Sequence, residues 1–192
     1  TGRCIVDLVQ REVTPCMILT RPAFINAAAV LAALSGSTNG IIHLIAIARR
    51  VGITLTLDDF HEVAQRVPVL VDCKPAGKGY MEDFHHAGGL PGLWKAMESL
   101  LDTETEHVNG QRLSQILDAV SPPEPWQDTI RSLDQPLAPP GALCILRGSL
   151  APDGAVIKKA AATPALLKHR GPAVVFDSPD DVTERIDDPA LD

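Results

Sequence analysis

Three kinds of feature are missing from this sequence, and each absence excludes a class of protein. There is no basic stripe: the formal net charge is −7 at pH 7, whereas proteins that bind nucleic-acid phosphates usually cluster lysine and arginine. No apolar run approaches the roughly 20 residues of a membrane helix, because the longest, residues 41–48, is interrupted by His43 and closed by Arg49. The first residues lack the basic region and cleavage site of a signal peptide. We therefore expect a cytoplasmic protein without a nucleic-acid or membrane partner.

Metal-binding cysteine spacing is also missing. The four cysteines are widely scattered, with no C-x-x-C pair and no histidine at zinc spacing, so we do not expect a structural zinc site. We predict buried thiols instead, and the run "ALCILRG" is typical of a buried strand. The four residues are Cys4, Cys16, Cys73 and Cys144.

The first half of the 192 residues has the pattern of helices. Thr20 is a candidate N-cap with Pro22 in the first helical turn, and Thr56 is a candidate cap for the amphipathic stretch "LDDFHEVAQRV". Between them, residues 35–40 form a glycine-bracketed turn before an apolar helix from Ile41. Since this helix has almost no polar face, we predict that it is interior to an α/β domain and buried on all sides.

A short β-branched run, Val67–Cys73, is typical of a buried parallel strand. The carboxyl end of such a strand is where α/β proteins place ligand chemistry. Here it leads into a loop with the densest polar cluster of the chain, followed by a helix over residues 90–101 with Trp94 and Met97 on its buried side. The polar residues of this loop are Lys74, Lys78, Glu82, Asp83, His85 and His86.

The composition changes beyond residue 103. A short helix, "LSQILDAV", precedes proline-rich connectors that can continue neither helix nor central strand. We therefore place a boundary within residues 121–140. The runs "GALCILRGSLAP", "GAVIKKAA" and "GPAVVFDSP" predict a β-rich part, with a strand, turn and strand around Gly148, Pro152 and Gly154. Ser178 is a candidate cap for a last helix.

Four blocks, in order and over nearly the whole chain, carry a family resemblance. The sequence resembles the middle third of the dihydroxyacid dehydratase / 6-phosphogluconate dehydratase family, whose members remove water from a 2,3-dihydroxy acid or sugar acid to give a 2-keto acid. The segments "LKHRGPAVVF" and "ERIDDPALD" are more similar to the sugar-acid (arabinonate, xylonate) branch. The blocks are "LTRPAFINAAAVLAALSGSTNGIIHLIAIARRVGI", "VPVLVDCKPAGKGYMEDFHHAGGLPGLWKAM", "RGSLAPDGAVIKKAA" and "AVVFDSPDDVTERIDDPALD".

The resemblance implies a fold and a set of cofactors. Residues 1–120 would be the C-terminal part of an α/β domain that holds an iron–sulfur cluster, mostly helices plus a parallel strand. Residues 121–140 would be a linker and residues 141–192 the start of a β-barrel domain. The family uses a 2Fe-2S or 4Fe-4S cluster and Mg²⁺, and its members usually form dimers or tetramers.

The sequence also departs from the family pattern. It lacks the cluster motifs C-D-K-x-x-P and G-x-C-N-T-M, the serine motif T-D-G-R-x-S and the P-G-M-P-E context of a magnesium ligand. None of the four cysteines matches a cluster ligand, so we expect the cluster and magnesium ligands, and the catalytic residues, outside this chain. Since dehydration needs a Lewis acid on the leaving oxygen and a base for the proton at carbon 2, we predict that this chain alone has no dehydratase activity.

Two segments are candidate substrate-binding sites, and each has a structural alternative. Ser37, Thr38 and Asn39 could offer hydroxyl and backbone N–H groups to a substrate anion, or could merely cap the helix. In the loop, Lys74 or Lys78 could meet the acid group, while Glu82, His85 or His86 could line the approach to the cluster or a subunit interface. Alternatively, "MEDFHH" could be only a short solvated helix.

Other polar residues are expected to be structural. We predict that His43 is a hydrogen-bonded core histidine. Lys158 could face the active cleft, but a role in the β element is favoured. Five acidic residues are expected on a solvated terminal helix and not at a metal: Asp180, Asp181, Glu184, Asp187 and Asp188.

Two other functions remain open at this point. The chain could be a non-catalytic binding or assembly module derived from the same family, which could be distinguished by whether the reading frame continues at both ends. It could also be an unrelated α/β enzyme that uses "KPAGKG" as a phosphate loop, although the G-x-x-x-x-G-K-[ST] spacing is absent.

Overall fold

The structure is a computed structural model that describes residues 2–124 and 126–191. The chain divides into two compact units, residues 1–161 and 162–192. Among the helices described, each falls short of the length and apolarity needed to cross a membrane.

Helices dominate the first unit, which also holds a small antiparallel sheet, so the chain is a mixed α and β structure, consistent with the α/β class. The helices are α1 (Gly2–Gln10), α2 (Pro15–Ile18), α3 (Arg21–Ala33), α4 (Asn39–Arg50), α5 (Leu57–Arg66), α6 (Met81–His86), α7 (Gly89–Ala96), α8 (Leu113–Asp118) and, in the second unit, α9 (Pro179–Arg185). The strands are β1 (Leu143–Gly148) and β2 (Ala151–Lys158), and short 3₁₀ turns span Glu98–Leu100, Lys159–Ala161, Pro164–Leu166 and Pro189–Leu191.

Helix α3 is central to the core of the first unit. It begins after Thr20, as the proline in its first turn predicted, and its alanines allow α4 and α5 to pack closely. Helix α5 begins after Thr56, as predicted: Asp59 Oδ2 accepts hydrogen bonds from the Thr56 N–H at 2.7 Å and from the Thr56 hydroxyl at 3.0 Å, and the helix buries Phe60 and Val63. The prediction that Met97 is buried is confirmed, whereas Trp94 is only half-buried.

The prediction of an interior α4 is wrong. Ile41 and Ala48 are its buried residues, while Ile42 is 65% and Ile47 is 45% exposed. His43 lies on the same exposed face, so it is not a core histidine. An apolar composition shows that a helix can be buried, but it does not show how many other elements pack against that helix. In the described chain, α4 packs mainly against α3.

Residues 67–73 are buried, as predicted, but they do not form a parallel strand. They make isolated bridges, antiparallel for Val69 with Ala138 and Val71 with Ile130, and parallel for Cys73 with the nearby Gly79. Their partner is thus the proline-rich segment predicted to be a linker, which packs within the first unit. Pro136 and Pro139 lie on either side of the bridge residue Ala138 and lack the N–H that a continuous ladder requires, which limits the pairing there.

The strands β1 and β2 form the predicted hairpin, with Leu143 opposite Lys158 and Ser149 and Leu150 between the strands. Pro152 and Gly154, expected in the turn, lie in β2. The apolar run 171–176 is not a strand in the described structure, and Val175 is 77% exposed. Two strands give an antiparallel hairpin and not a visible barrel.

The second unit contains α9, which begins where the sequence predicted. The Ser178 side chain accepts a hydrogen bond from the Asp181 N–H at 3.1 Å, and Pro179 occupies the first turn. Because the cap, the proline and the acidic first turn are local features, they could be recognised without knowledge of any neighbour.

Cysteine burial was predicted correctly only in part. Cys73 is buried and Cys144 is half-buried within β1, but Cys4 and Cys16 are exposed. The two exposed thiols belong to α1 and α2, which bury no residue of their own. The general expectation of buried thiols therefore fails where a helix lies at the surface.

Candidate functional site

The two candidate segments start from adjacent points of the core. The carbonyl oxygen of Ala33, the last residue of α3, accepts hydrogen bonds from the N–H groups of Leu70 and Val71 at 2.9 and 3.2 Å. The turn of residues 35–39 begins two residues after Ala33, and the loop of residues 72–83 begins directly after Val71. This pairing anchors both segments on the same buried backbone.

The turn begins as a helix C-cap with an unusual residue. The N–H of Gly36 bonds to the Leu31 carbonyl and that of Ser35 to the Ala32 carbonyl, both at 2.9 Å, which is the Schellman pattern. The left-handed position of this pattern usually carries glycine, but here it carries Ser35, with φ 45°. The Ser35 hydroxyl is buried and has no hydrogen-bond partner in the described chain.

The first N–H groups of α4 are partly capped by the turn residues directly before the helix. Ser37 Oγ accepts from the Asn39 N–H at 3.2 Å, while the N–H groups of Gly40 and Ile41 bond to the carbonyls of Ser37 and Thr38. Thr38 occupies the N-cap position without a side-chain cap bond. The first backbone donors of this helix therefore have acceptors, and the groups presented to solvent are the side chains of Ser37 and Asn39, both exposed.

The loop of residues 72–83 is organised around the carboxylate of Asp72. Its Oδ1 accepts the Lys78 N–H at 2.8 Å, and its carbonyl accepts the Gly79 N–H at 3.1 Å. A Cβ on Gly77 would overlap Asp72 Oδ1 and lie 2.6 Å from the Cys73 nitrogen, and one on Gly79 would lie 2.7 Å from the Asp72 oxygen. Only glycine fits at these two positions without a shift of backbone.

This arrangement argues against a phosphate loop. In such a loop the backbone N–H groups point at the phosphate. Here the N–H groups of Gly77, Lys78 and Gly79 donate to Cys73 and Asp72 of the same chain. The carboxylate of Asp72 already occupies the place an anion would take, so the interpretation of "KPAGKG" as a phosphate loop is not supported.

The predicted polar residues of the loop are at the surface. Lys74 Nζ donates to the Tyr80 hydroxyl at 2.6 Å and lies 3.9 Å from the centre of that ring. Lys78, Glu82 and His85 are exposed, and their side chains form no hydrogen bond or ion pair within the described residues. Helix α6 starts at Met81, with Asp83 Oδ2 accepting the Tyr80 N–H at 2.7 Å.

Two residues of this loop were missed as functional candidates, Asp72 and Tyr80. Asp72 ties the loop together, and Tyr80 holds one of the candidate lysines. The sequence offered two signals: an aspartate directly after a buried run, and the only tyrosine of the chain inside its most polar segment. Neither signal shows that Tyr80 meets Lys74.

The buried thiol of the loop is poorly suited to act as an anionic ligand. Burial raises the pKa of Cys73, and the nearby carboxylates of Asp72 and Asp83 raise it further. Its Sγ lies 3.5 Å from the Tyr80 carbonyl oxygen. Within residues 2–124 and 126–191, no three His, Cys, Asp or Glu side chains are placed to hold a metal ion.

The remaining polar candidates lie apart from this chemistry. Lys158 pairs with Leu143 in the hairpin. Asp181 pairs with Arg185 at 3.1 Å, and the hydrogen bonds from the Asp177 N–H and then from Arg185 hold the pKa of its carboxyl below the ordinary value. The other four acidic residues of this segment are exposed.

Comparison with known proteins assigns the chain to a family. Residues 1–116 match the N-terminal model of dihydroxy-acid/6-phosphogluconate dehydratases, and residues 128–192 match the C-terminal model of the same enzymes. The chain therefore belongs to the dihydroxy-acid/6-phosphogluconate dehydratase family, whose members are hydro-lyases.

Curated relatives are similar over the whole chain. A 6-deoxy-6-sulfo-D-gluconate dehydratase of Pseudomonas putida is 47% identical and an L-arabinonate dehydratase of Rhizobium leguminosarum bv. trifolii is 44% identical, each over 100% of this chain and 33% of the relative. A dihydroxy-acid dehydratase of Acetivibrio thermocellus is 42% identical over 96% of this chain and 33% of the relative. The chain thus spans about a third of the length of the curated relatives it matches.

Proposed function

We propose that this chain is a segment of a hydro-lyase that dehydrates a sugar acid or 2,3-dihydroxy acid to a 2-keto acid, and that the chain is inactive alone. The observation that carries the proposal is the identity of 47% over the whole chain to a relative named as a dehydratase of this kind. The matches to both family models support it.

Within this class we infer a sugar acid as the substrate. The two relatives that are named for sugar acids or their sulfonated form and described above are 47% and 44% identical. Dihydroxy-acid dehydratases are 42% and 44% identical, over 96% and 92% of this chain. The difference is small, so the choice of substrates in the assay must include both classes.

For the substrate contacts we propose Lys74, Lys78, Glu82 and His85 of the loop, together with Ser37, Thr38 and Asn39 of the turn. The ammonium groups would meet the carboxylate of the acid, since opposite charge within about 4 Å favours binding. Hydroxyl, amide and imidazole groups would hydrogen-bond the hydroxyls of the substrate. The exposure of the two lysines and the common anchor of both segments at Ala33 support this assignment.

Iron–sulfur and magnesium cofactors belong to the proposal only through the rest of the protein. The residues described do not fit a cluster, because Cys73 is buried with a raised pKa and Cys4 and Cys16 are exposed on separate helices. They do not fit magnesium either, because no three His, Cys, Asp or Glu side chains among them are placed to hold a metal ion. We propose that the ligands of both cofactors lie outside this chain, and we assign no step of the reaction to residues within it.

We further propose that residues 1–120 and 141–192 belong to two domains of the longer enzyme, joined by residues 121–140, and that the enzyme forms a homodimer or homotetramer. The family models support the first point, because one match ends at residue 116 and the other begins at residue 128. The exposed isoleucines of α4 support the second point, because large apolar side chains in water favour association.

The test has two stages. First, the 192-residue chain is reconstituted anaerobically, its intact mass is recorded, and its iron, sulfide and 2-keto acid formation from L-arabinonate and a 2,3-dihydroxy acid are measured. We expect no bound cluster and no turnover. A stoichiometric cluster would show that some of the four cysteines are ligands, and turnover would show that the chain is sufficient.

Second, the reading frame around the chain is sequenced and the longer protein is assayed on the same substrates. We expect turnover by the longer protein, with a raised KM for Lys78→Ala and no change for the exposed control Lys168→Ala. A frame that does not extend, or a longer protein that turns over no acid, would favour the alternative of a non-catalytic binding or assembly module. Equal KM values for the two lysine variants would remove Lys78 from the site.

A further inference from the structure

A cavity of about 260 Å³ lies in the first unit, away from the loop and turn segments in sequence. Its walls come from the end of α2, one face of α3, the helix α7 and the residues just before α8. The side chains that matter for its chemistry are Ala23, Ala27 and Val30 of α3, Leu90 and Trp94 of α7, and His107.

The cavity exists because α3 presents small side chains on this face. Ala23, Ala27 and Val30 are three to four residues apart, so they lie along one side of the helix. On its other sides, α3 buries Phe24 and four alanines, Ala28, Ala29, Ala32 and Ala33. The small side chains of Ala23 and Ala27 leave the space beside them unfilled by the described residues.

A polar clamp keeps the far wall in place. Asn26 of α3 donates to the Asp102 carbonyl at 2.8 Å and accepts the Asp102 N–H at 2.9 Å, and its amide also reaches Thr105 Oγ1 at 3.3 Å. All three contacts are long-range in sequence, so they fix the segment that carries His107 against the helix. With its side chain satisfied in this way, Asn26 adds rigidity to the cavity and not an open polar group.

Two of the side chains that line the cavity are aromatic, Trp94 and His107. Trp94 and His107 meet edge to face, with ring centres 5.2 Å apart. Burial lowers the pKa of His107, so at neutral pH the imidazole is uncharged and can accept or donate one hydrogen bond. Its ring nitrogens have no hydrogen-bond partner in the described residues.

Charge decides which ligand suits the cavity. Neither lysine nor arginine is among the residues that line it, and the one ionisable acid there, Glu106, is exposed. A carboxylate would therefore enter without a counter-charge and next to Glu106, which is unfavourable. A flat, neutral ring would instead meet apolar walls, with the Trp94 and His107 rings to pack against.

We propose that this cavity binds a small neutral ligand with an aromatic ring and one hydroxyl group, the ring packing between Ala27 and Trp94 and the hydroxyl bonding to His107. This site goes beyond the proposed hydro-lyase function, because a sugar acid is a polyhydroxylated anion for which these walls offer no partner. The ligand class follows from the chemistry of the lining and not from the substrates of the relatives.

Fluorescence of Trp94 provides a direct test. The chain has two tryptophans, so a Trp126→Phe background leaves Trp94 as the reporter; Trp126 is 75% exposed and is not part of the cavity lining. This protein is titrated with benzyl alcohol, benzoate and L-arabinonate. We expect a saturable change in Trp94 fluorescence with benzyl alcohol, at least about tenfold weaker binding of benzoate, and no saturable change with L-arabinonate.

A cavity-filling variant and a matched control locate the binding. Ala27→Leu places a larger side chain in the space, whereas Ala46→Leu makes the same change on the exposed face of α4. We expect benzyl alcohol to bind at least about tenfold more weakly to the first variant and equally well to the second. Ala23→Leu replaces Ala27→Leu if circular dichroism shows that the latter does not fold.

A last variant tests the hydrogen bond. In His107→Leu, the preference for benzyl alcohol over toluene should disappear while toluene still binds. The proposal is overturned by no saturable binding of benzyl alcohol, by equal binding to the Ala27→Leu and Ala46→Leu variants, or by benzoate binding as tightly as benzyl alcohol. An unchanged preference in His107→Leu would overturn the assignment of the hydroxyl partner.

Discussion

The loop of residues 72–83 and the turn of residues 35–39 start from the same buried carbonyl of Ala33 but are closed in different ways. The loop satisfies its backbone donors with the carboxylate and carbonyl of Asp72 and has glycine wherever the chain passes close to it. The turn has Ser35 at a position with positive φ, which glycine adopts without strain, and the Ser35 hydroxyl has no hydrogen-bond partner in the described chain.

This difference shows how two polar segments, one charged and one uncharged, have different roles. In the loop, the rigid part is the backbone around Asp72, and the candidate binding groups of Lys78, Glu82 and His85 project from it without internal partners in the described chain. In the turn, the positive φ is confined to Ser35, and the N–H groups of Ser35, Gly36 and Asn39 have acceptors. We therefore expect substitutions in the loop to lower the free energy of unfolding more than those in the turn. In the turn, replacement of Ser35 is expected to raise it.

The largest effect is expected from Gly77→Ala. The added Cβ would overlap Asp72 Oδ1 and come within 2.6 Å of the Cys73 nitrogen, so backbone has to move, and we expect a loss of about 3 kcal/mol in the free energy of unfolding. Urea denaturation measures the loss. Gly148→Ala is the matched control, since a Cβ there meets nothing within 4 Å. Equal stabilities of the two variants would show that the loop is not closed around Asp72.

Removal of the central carboxylate should have the next largest effect. Asp72→Ala leaves the Lys78 N–H without its acceptor, and we expect a loss of about 2 kcal/mol because the lost bond is to a charged group. Asp128→Ala is the control: its carboxylate is 84% exposed and pairs only with Arg131 in the described structure, so a change below about 0.5 kcal/mol is expected. A loss confined to Asp128→Ala would contradict the comparison.

The parts of the fold that the sequence predicted well are those with local causes. Pro22 and Thr56 mark the starts of α3 and α5, and Ser178 marks α9, because caps and first-turn prolines act within a few residues of their own position. The hairpin was also predicted from short β-type runs separated by glycine and proline, although the position of its turn was not. These features do not depend on what packs against them.

The errors arise where a distant partner decides the outcome. Residues 67–73 were recognised as buried, but the strand partner is a proline-rich segment more than fifty residues away, which periodicity cannot show. Likewise, the exposure of Ile42 and His43 depends on the number of neighbours around α4. In the candidate site, the polar composition of the loop was evident, whereas the central place of Asp72 and the contact of Lys74 with Tyr80 follow only from the folded chain.

In the turn, replacing a side chain by glycine should raise the free energy of unfolding. Ser35→Gly relieves the positive φ and removes a buried hydroxyl without a partner in the described chain, and we expect a gain of about 1 kcal/mol in urea denaturation. Ser35→Ala separates the two causes, because it removes the hydroxyl but keeps the strained Cβ. A loss of stability in Ser35→Gly would mean that the hydroxyl has a bonding partner, such as an internal water.

The free energy of unfolding should depend on pH through Cys73 of the loop. The pKa of Cys73 is raised above its ordinary value of 9.0 by burial and then by Asp72 and Asp83, so the folded state holds the thiol proton more tightly than the unfolded state does. The resulting stabilisation is fully present below pH 9 and is lost as the pH rises through the folded pKa. Unfolding free energies measured from pH 8 upward should fall more for the parent than for Cys73→Ala; parallel curves would contradict this.

The smallest effect is expected at the outer part of the turn. Ser37→Ala removes the acceptor of the Asn39 N–H, a bond of 3.2 Å at an exposed position, and the expected loss is about 0.5 kcal/mol. Thr38→Ala is the control, because Thr38 occupies the N-cap without a side-chain cap bond, and it should change the unfolding free energy less. If Thr38→Ala proves the more damaging, the cap lies one residue further along than the hydrogen bonds indicate. If neither variant loses stability, the hydroxyls of Ser37 and Thr38 do not stabilise the fold. That result would favour the proposed substrate contact over a helix cap for both residues.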